Sequence, residues 1–265
     1  MPTAAGIVLA GGRSTRMGSP KAALEWHGST LLRHVAGLVA RGVDGPVVVV
    51  RAPGQALPSL PVDVAVVEDA REGRGPLEGL AAGLAAVDAD AAFVASTDSP
   101  LLHPVFVRRV LRALEDEIDV VLPFAHGYPQ PLAGAYRTSL LATIERWLAA
   151  DRVRLGDLFA DCRVRRLGEA ELLADAELAG TDPALDSLTN LNEPADYEAA
   201  RERPAPEVTV AGVGVRAATL GAAAAAAGVA LEAVVALNGE RLDAGAARDA
   251  LLPLVTGDAI AVAGR

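Results

Sequence analysis

Short apolar runs alternate with segments of helical spacing along the first 200 residues of the chain. The apolar runs are almost unbroken, which is typical of strands buried on both faces of a sheet. They predict strands at residues 5–10, 47–50, 62–67, 92–95, 120–122 and 132–136. Apolar residues spaced three and four apart predict helices at residues 31–40, 77–87, 105–114 and 140–148, with Pro76 suited to a first helical position. This alternation predicts an α/β fold, a Rossmann-like and mostly parallel sheet with helices on both faces.

The periodic pattern stops at residues 201–206, RERPAP, where two prolines disfavour both helix and central strand. We therefore predict a domain at residues 1–200, a linker at 201–206 and a second domain at 207–265. In the second domain the pattern predicts strands at 208–213, 234–237 and 259–263, a helix at 220–227 with Thr219 as its N-cap, and a turn at Asn238-Gly239. These elements predict a small α+β domain.

Composition narrows the possible partners. The chain has 265 residues, of which 51% are apolar and 22% charged, as in ordinary globular proteins. Its net charge of −10 argues against nucleic acid as the main partner but allows a small phosphate ligand. The single cysteine, Cys162, cannot form an intramolecular disulfide, and the four histidines lack metal-ligand spacing. With neither a basic leader nor an apolar segment free of charge, we expect a cytoplasmic protein without a membrane span.

The strongest chemical signal follows the first predicted strand, in IVLAGGRSTRMGSPK at residues 7–21. Two glycines allow close approach of the backbone to a ligand. Arg13, Arg16 and Lys21 add three positive charges, and Lys21 is the only lysine of the chain. The segment matches neither the P-loop nor the dinucleotide fingerprint. It predicts a phosphate site, and the alternative is a glycine turn with solvated cations.

Acidic residues follow two further strands. Asp98, in STDSPLL at residues 96–102, directly follows the strand at 92–95. The carboxyl end of a central strand borders the crevice where open α/β sheets bind ligands, so Asp98 is a candidate Mg²⁺ ligand. The alternative is a cap of the turn before Pro100. The glycine-rich segment 68–79, EDAREGRGPLEG, follows another strand and is suited to a loop over a nucleotide.

Five motifs in order give the chain its resemblance to one family. The run LAGGRSTRMGSPK, residues 9–21, resembles the signature of nucleotidyltransferases that activate molybdopterin, most closely the molybdenum cofactor guanylyltransferases. The other matches are Glu68-Asp69 with Gly75-Pro76-Leu77-x-Gly79, Asp98-x-Pro100-Leu101, Gln130-Pro131-Leu132 before Ala135-Tyr136, and Thr189-Asn190-Leu191-Asn192-x-Pro194. The resemblance implies transfer of GMP from GTP to the terminal phosphate of molybdopterin, with Mg²⁺ as cofactor.

The family pattern also implies roles for individual residues. Those implied to line the nucleotide pocket or hold its phosphates are Leu9, Ala10, Gly11, Gly12, Arg16, Lys21, Asp69 and Asp98, with Arg16, Lys21 and Asp98 as the catalytic residues and Asp98 as the Mg²⁺ ligand. Asn190 and Asn192 are implied to lie near the second phosphate-bearing substrate or the metal, and turn chemistry before Pro194 is an equal alternative. Many family members have an asparagine just after the second strand, where this chain has Arg51-Ala52, so the resemblance assigns no contact there.

Two alternatives to a guanylyltransferase stay open. The Leu-Ala-Gly-Gly start and the Gly-Pro-Leu loop resemble the guanylyl branch, whereas the cytidylyl branch usually has Ala-Ala-Gly. Within enzymes, the alternative is a CTP-dependent cytidylyltransferase acting on molybdopterin or a related transferase with another phosphorylated acceptor. From another class, the alternative is a non-catalytic nucleotide-binding scaffold that recruits partners. The presence of Arg16, Lys21 and Asp98 argues against the scaffold.

Residues 207–265 resemble the β-grasp, ubiquitin-like sulfur carriers of thiamine and molybdopterin synthesis. The matching features are the opening strand, the helix start at Thr219-Leu220, VVALNGE at residues 234–240 and TGDAI at 256–260. Those carriers work through a Gly-Gly tail, which is absent here, so we expect no sulfur transfer. We expect a degenerate carrier that docks a molybdopterin-synthesis or molybdoenzyme partner, and the alternative is an inert stabilising appendage.

Overall fold

The alternating pattern builds one large sheet with its helices. The computed structural model describes residues 3–11, 20–69, 71, 74–243 and 245–263. The strands of the first 200 residues are β1 (Ala4–Leu9), β2 (Glu25–Trp26), β3 (Ser29–Thr30), β4 (Val47–Arg51), β5 (Val64–Glu68), β6 (Ala91–Ser96), β7 (Val120–Ala125), β8 (Tyr128–Pro129), β9 (Ala133–Arg137) and β10 (Val164–Gly168). The helices are α1 (Leu31–Ala40), α2 (Pro76–Ala86), α3 (Pro104–Arg112), α4 (Leu141–Ala149), α5 (Leu155–Leu158), α6 (Glu169–Leu173), α7 (Ala176–Thr181) and α8 (Pro194–Arg201).

The large sheet is mostly parallel, with β9 and the short strand β8 reversed. Its order is β10-β7-β9-β6-β1-β4-β5, and β8 pairs with β7. β1 lies between β6 and β4, parallel to both, and β5 extends this parallel half. β9 runs antiparallel to both of its neighbours. The carboxyl ends of β6, β1, β4 and β5 therefore meet at one edge of the sheet.

Helices pack on both faces of this sheet, as predicted. Successive residues of β1 point to opposite faces, so Ile7 joins a core with α2 and α4, whereas Val8 joins a core with α1 and α3. Both side chains are fully buried. Pro76 is the first residue of α2, as predicted, where its missing N–H leaves no hydrogen bond unmade.

Three sequence-based expectations for the sheet need correction. β5 begins at Val64 and not at residue 62, and it is not buried on both faces, because Ala65 and Val66 are exposed at the edge of the sheet. β9 is antiparallel, which its apolar composition does not distinguish from a parallel strand. β10 was not predicted, because its sequence VRRLG has only one buried residue, Leu167.

Residues 207–263 form a second sheet with one helix. Its strands are β11 (Glu207–Val210), β12 (Val213–Arg216), β13 (Val234–Leu237), β14 (Glu240–Arg241) and β15 (Ala259–Val262), and its helix is α9 (Leu220–Ala226). The order is β12-β11-β15-β13-β14, with β11 parallel to β15 and the other pairs antiparallel. The Oγ atom of Thr219 accepts from the N–H of Ala222 at 3.4 Å, which confirms the predicted N-cap.

Two tight turns shape this second sheet. Asn238 and Gly239 have φ of +53° and +81° and form the predicted turn between β13 and β14. The single strand predicted at 208–213 is instead a hairpin, because Ala211 and Gly212 have φ of +49° and +82° and reverse the chain. Two successive positive φ angles match the twist of a two-residue hairpin. In the sequence, only Gly212 indicates a turn at this position.

The second sheet packs on α1 through charged residues. Arg33, in α1, and Arg41, at its C-cap, each bind a carboxylate of the C-terminal segment. Arg33 Nη2 lies 2.8 Å from both oxygens of Asp249. Arg41 Nη1 and Nη2 lie 2.8 and 2.6 Å from the two oxygens of Asp258, whose side chain is only 1% exposed. Such bidentate pairs are directional, so they fix the position of the second sheet on α1.

Asp258 is fully hydrogen-bonded despite its burial. Besides Arg41, it accepts from Asn238 Nδ2 and from the N–H of Val255, both at 2.8 Å. Satisfied partners are what make a buried carboxylate tolerable. Between the two arginines, α1 carries Gly37, where an added Cβ would lie 2.6 Å from Pro253 Cδ. Pro253 of the C-terminal segment therefore packs directly against the backbone of α1 at Gly37.

Within the described ranges, no helix is both long and apolar enough to cross a membrane.

The close approach at Gly37 generates a stability prediction. We expect Gly37→Ala to lower the free energy of unfolding by about 1–3 kcal/mol, because the methyl group overlaps Pro253 at the contact with the second sheet. Gly180→Ala, in α7, is the matched control, because a Cβ there meets no atom within 4 Å. Alanine is the better helix former, so this control raises stability by up to about 1 kcal/mol. Urea unfolding of both variants is the measurement, and equal stabilisation by both would contradict the packing described here.

Candidate active site

The candidate site lies where the carboxyl ends of the parallel strands meet. Ala10, Asp69 and Asp98 follow β1, β5 and β6, each within two residues of the strand end. The N–H of Ala10 donates to Val50 O at 2.8 Å, and the N–H of Asp69 donates to Arg51 O at 2.9 Å. These ladder bonds continue the sheet beyond its strands, so the backbone that carries the site is rigid.

Lys21 joins three separate segments of the chain. It opens a 3₁₀ turn, Lys21–Ala23, and its Nζ atom lies 2.7 Å from Leu191 O and 3.2 Å from Asp98 Oδ2. The N–H of Leu191 donates to Asp98 O at 2.8 Å, which closes the connection. The side chains of Lys21 and Asp98 are 20% and 21% exposed, so the pair is largely shielded but still reachable. A cation and a carboxylate thus share one edge of the crevice.

Two serines hold the side chains around this pair. Ser96 Oγ donates to Asp98 Oδ1, the oxygen that Lys21 does not contact. Ser99 is buried, and its Oγ donates to Asn190 Oδ1 at 2.9 Å. The sequence analysis missed both serines, although each stands within two residues of Asp98. Small hydroxyl residues beside a candidate carboxylate are a usable signal, since they fix the orientation of polar side chains.

The two predicted asparagines have different surroundings. Asn190 accepts a hydrogen bond from Ser99, next to Asp98 in the chain. The backbone N–H of Asn192 donates to Asp196 Oδ2 at 3.0 Å, and the N–H of Glu193 donates to the same oxygen at 2.9 Å. Asp196 lies in the first turn of α8, so Asn192 belongs to the turn that starts this helix. The structure brings only Asn190 to the site through a side-chain contact.

A second wall of the crevice surrounds Ala10 and Gly11. A Cβ added at Gly11 would lie 3.4 Å from Ala52 N and 3.5 Å from Asp69 Oδ2. Gln55 completes this wall, because its Nε2 donates to Ala10 O at 3.0 Å. The sequence analysis missed Gln55. Its position in the turn Ala52-Pro53-Gly54-Gln55, directly after β4, is the signal that could have found it.

The predicted residues come together in two groups. The first group lies on or beside this wall and comprises Leu9, Ala10, Gly11 and Asp69. The second group lies at the other end of the crevice and comprises Lys21 and Asp98. Gly12 and Arg16, and with them Arg13, lie outside the described residues.

The donor set around Asp98 suits one kind of metal ion. No group of three or more histidine, cysteine, aspartate or glutamate side chains comes together among residues 3–11, 20–69, 71, 74–243 and 245–263. That finding disfavours an all-protein metal cage in this part of the chain. Mg²⁺ commonly takes one or two carboxylates and fills its shell with water and phosphate oxygens. A single aspartate beside a phosphate site therefore fits Mg²⁺ that arrives with a phosphorylated ligand.

A wide cleft of about 1490 Å³ lies elsewhere, between the large sheet and the second sheet. Ala4, Pro46 and Ala91 line it, at the amino ends of strands, together with Leu252 of the C-terminal segment. None of the candidate residues that the structure describes lies in its wall. We place the site by its chemistry, at the opposite edge of the sheet, rather than by cavity size.

His34, on α1, holds the turn that follows Asp98. Its Nε2 lies 3.0 Å from Pro100 O, which requires the proton on Nε2 for a hydrogen bond. Burial disfavours the imidazolium and lowers the pKa of His34 to about 4. The ring also contacts Trp26, whose indole packs with Leu31 and Leu191. The histidine is a buried structural residue that links α1 to the site.

Comparison with known proteins shows a consistent group of relatives. The model of a family described as MobA-like NTP transferase domain matches residues 6–165. The chain is 31% identical over 179 residues to a probable molybdenum cofactor guanylyltransferase of Bacillus mycoides, covering 67% of this chain and 90% of that protein. A protein of the same description from Bacillus cereus is 31% identical over 175 residues, covering 65% and 88%.

Solved structures share the fold at lower identity. Molybdopterin-guanine dinucleotide biosynthesis protein A from Archaeoglobus fulgidus superposes with a TM-score of 0.59 at 21% identity, covering 75% of this chain and 97% of that one. The 2-C-methyl-D-erythritol 4-phosphate cytidylyltransferase of Thermus thermophilus superposes with a TM-score of 0.52 at 19% identity, covering 76% and 98%. Proteins named for guanine and cytidine nucleotides therefore share this fold, and the fold by itself does not select the base.

The lowered pKa of His34 predicts acid sensitivity. The unfolded chain binds a proton at this histidine near pH 6.5, whereas the folded chain does so only near pH 4, so the stability it contributes is complete above about pH 6.5 and is lost as the pH falls toward 4. Between about pH 4 and pH 6.5, each such histidine adds up to about 1.4 kcal/mol per pH unit to the slope of the unfolding free energy against pH. We expect His34→Gln, which keeps a donor for Pro100 O, to reduce the slope of unfolding free energy against pH.

His103→Asn is the comparison variant for this measurement. Burial also lowers the pKa of His103 to about 4, and asparagine can replace its N-cap bond to Val105 at the start of α3. We expect a similar reduction of the slope. Urea unfolding between pH 4 and 8 is the test, and wild-type slopes in both variants would refute the assignment.

Proposed function

This chain belongs to the family of MobA-like NTP transferase domains, and we propose that it transfers GMP from GTP to the terminal phosphate of molybdopterin, with release of pyrophosphate. It is a nucleotidyltransferase, and its relatives carry the name of molybdenum cofactor guanylyltransferase. The observation that carries the proposal is the meeting of Lys21, Asp98 and Leu191 at the carboxyl edge of the sheet. This arrangement supplies the paired charges that a nucleotidyl transfer needs.

The reaction requires little from the protein beyond charge and alignment. The attacking group is the terminal phosphate of the acceptor, which is already an anion, so no general base is needed. That oxygen forms a bond to the α-phosphorus of the nucleotide, and the bond to the pyrophosphate leaving group breaks. Holding the two anions in line and neutralising their charge are the main catalytic tasks.

Lys21 and Asp98 divide these tasks between them. In the absence of ligands they form an ion pair, which keeps both charges compensated at 20% exposure. When a triphosphate binds, we propose that the Lys21 ammonium turns to phosphate oxygens and the Asp98 carboxylate to Mg²⁺. The metal ion supplies neutralisation of the phosphate charge when it is bound. Arg16 and Gly12 enter the proposal through the family motif alone.

The remaining residues of the proposal define the rest of the site. Leu9, Ala10, Gly11 and Asp69 form the nucleotide wall in this account, and Asn190, held by Ser99, faces the second substrate. Asn192 starts α8 through its backbone and is assigned no substrate contact. Cytidylyl transfer to molybdopterin is the second candidate, since a solved cytidylyltransferase shares the fold.

We infer that residues 207–265 are a β-grasp module joined through the linker at 201–206. Support comes from the central parallel pair β11 and β15, the flanking antiparallel strands, and α9 packed on this sheet. The contacts of Asp249 and Asp258 with α1 favour a module held in one place. A docking role for a molybdopterin-synthesis or molybdoenzyme partner stays a proposal beside that of a stabilising appendage.

The nucleotide is tested by supplying each nucleoside triphosphate separately with molybdopterin and Mg²⁺ and measuring pyrophosphate release. We expect release with GTP that depends on both molybdopterin and Mg²⁺. Release with CTP alone would replace the guanylyl assignment by the cytidylyl one. No release with any nucleotide would favour a nucleotide-binding scaffold.

Lys21 provides a sharp mutational test of the site. We expect Lys21→Arg to lower guanylyl transfer at least tenfold, because the planar guanidinium needs more room than an ammonium that contacts Asp98 and Leu191 O at once. Arg146→Lys, on the exposed surface of α4, is the matched control for an exchange that conserves charge, and it should retain wild-type turnover. Single-turnover kinetics with GTP are the measurement. Near wild-type rates in Lys21→Arg would show that the reaction does not require a lysine at this position.

A further inference from the structure

Gln55 makes two backbone contacts that join separate segments of the nucleotide wall. Its Nε2 donates to Ala10 O at 3.0 Å, and its Oε1 accepts from the N–H of Ala52 at 3.0 Å. Ala10 directly follows β1, and Ala52 begins the turn after β4. One side-chain amide thus uses both its donor and its acceptor to hold this turn against the backbone at Ala10.

The turn itself does not depend on the Gln55 side chain. The N–H of Gln55 donates to Ala52 O at 3.0 Å, and Gln55 O accepts from Arg51 Nη1 at 3.0 Å. Arg51 is fixed in turn by Glu68 Oε1 at 2.8 Å, which also accepts from the N–H of Gly54 at 3.3 Å. Because these contacts are made by the backbone and by Arg51, a change of the Gln55 side chain leaves the turn folded.

The position of this wall relative to Lys21 decides which part of a nucleotide meets it. Asp98 follows β6, on one side of β1, and Lys21 contacts it there, so this pair is the proposed phosphate end. Ala52 and Gln55 follow β4, on the other side of β1. A nucleotide with its phosphates at Lys21 and its body lying across Ala10 and Gly11 therefore places its nucleoside against the Ala52–Gln55 turn.

We propose that Gln55 is a positioning residue for the nucleoside half of the substrate, which fixes the Ala10 carbonyl and the Ala52 amide as a rigid surface. The proposal rests on the proposed nucleotide site and adds to it a residue that the family motifs do not include. The motifs assign no contact to the segment directly after β4, and the side-chain amide at this wall comes from a residue four positions beyond Arg51. Gln55 contacts protein backbone and not the reacting atoms, so it acts on binding rather than on the chemical step.

The expected effect follows from the two bonds that are lost. Without these bonds the Ala10 carbonyl and the Ala52 amide are no longer fixed to each other, and we expect the affinity for the nucleotide to fall about tenfold, which corresponds to about 1.4 kcal/mol. Gln55→Met keeps the length and volume of the side chain but makes neither bond. We expect its Kd for GTP, measured by isothermal titration calorimetry, to rise about tenfold. The kcat at saturating GTP and the KM for the phosphorylated acceptor should stay within twofold of wild type, because a uniform loss of nucleotide binding does not alter the chemical step.

Gln55→Glu adds a test that a general loss of stability would not reproduce. The carboxylate can still accept from Ala52 N, but it places a second acceptor opposite Ala10 O. When protonated, the same group regains a donor for Ala10 O. The facing Ala10 O and the nearby Glu68 carboxylate disfavour the charged form, so we expect the pKa of this carboxyl to lie above its usual value of about 4.3. We therefore expect GTP binding to this variant, relative to wild type at the same pH, to be weakest at pH 8 and to recover at least threefold at pH 5.0. The ratio for Gln55→Met should not change with pH.

Ser59→Ala is the control, because Ser59 lies exposed on the same connection between β4 and β5. We expect wild-type GTP binding in this variant. A Kd of Gln55→Met within twofold of wild type, or a pH-independent ratio for Gln55→Glu, would overturn the role of Gln55. Failure of the proposed function is a separate result, because pyrophosphate release by the wild-type protein is measured independently of GTP binding.

Discussion

The ion pair between Lys21 and Asp98, with the carbonyl of Leu191 as its third member, is the constraint on which the candidate site depends. Along the chain, Lys21 is separated from Asp98 by 77 residues and from Leu191 by 170. Each is carried by a different element: a 3₁₀ turn after the first strand, the end of β6, and the loop before α8. A cation paired in this way is stable at the carboxyl edge of the sheet without a ligand. In the proposed reaction it exchanges this carboxylate for phosphate oxygens, and both states keep the charges compensated.

Helix α1 connects this site with the rest of the molecule. His34 and Leu31, near its beginning, face Pro100 and the cluster around Trp26, so the helix supports the segments that carry Asp98 and Leu191. Arg33, Gly37 and Arg41 lie on the face that receives the second sheet. One helix of ten residues thus packs against the large core, the candidate site and the C-terminal segment. Asp249 and Asp258 of the C-terminal segment bind Arg33 in this helix and Arg41 at its C-cap.

The sequence predicts those parts of the fold that depend on local pattern. The bounds of α1 are correct to the residue, and the strands β1, β4, β6 and β13 lie within one residue of their predicted positions, because continuous apolar runs and helical spacing are local properties. The reversed direction of β9 and the existence of β10 depend on pairing between distant segments. The hairpin at Ala211-Gly212 was missed because alanine rarely adopts a positive φ.

In the candidate site, too, some residues can be predicted from the sequence and others cannot. Spacing and the family motif predict the strand ends and the polar residues near them, above all Lys21 and Asp98. Ser99, the Leu191 carbonyl and Gln55 take part through contacts that only the folded chain creates. Gln55 supplies a side-chain amide to the wall beside Ala10 from the turn after β4, through contacts with backbone alone.

A crystal structure with Mg²⁺ and a non-hydrolysable GTP analogue tests the central claim most directly. The account predicts that Lys21 Nζ leaves Asp98 and lies within hydrogen-bond distance of a phosphate oxygen, while Asp98 coordinates the metal and the guanosine rests against Ala10, Gly11 and the Ala52–Gln55 turn. An unbroken Lys21–Asp98 pair, with the triphosphate bound elsewhere, would contradict it.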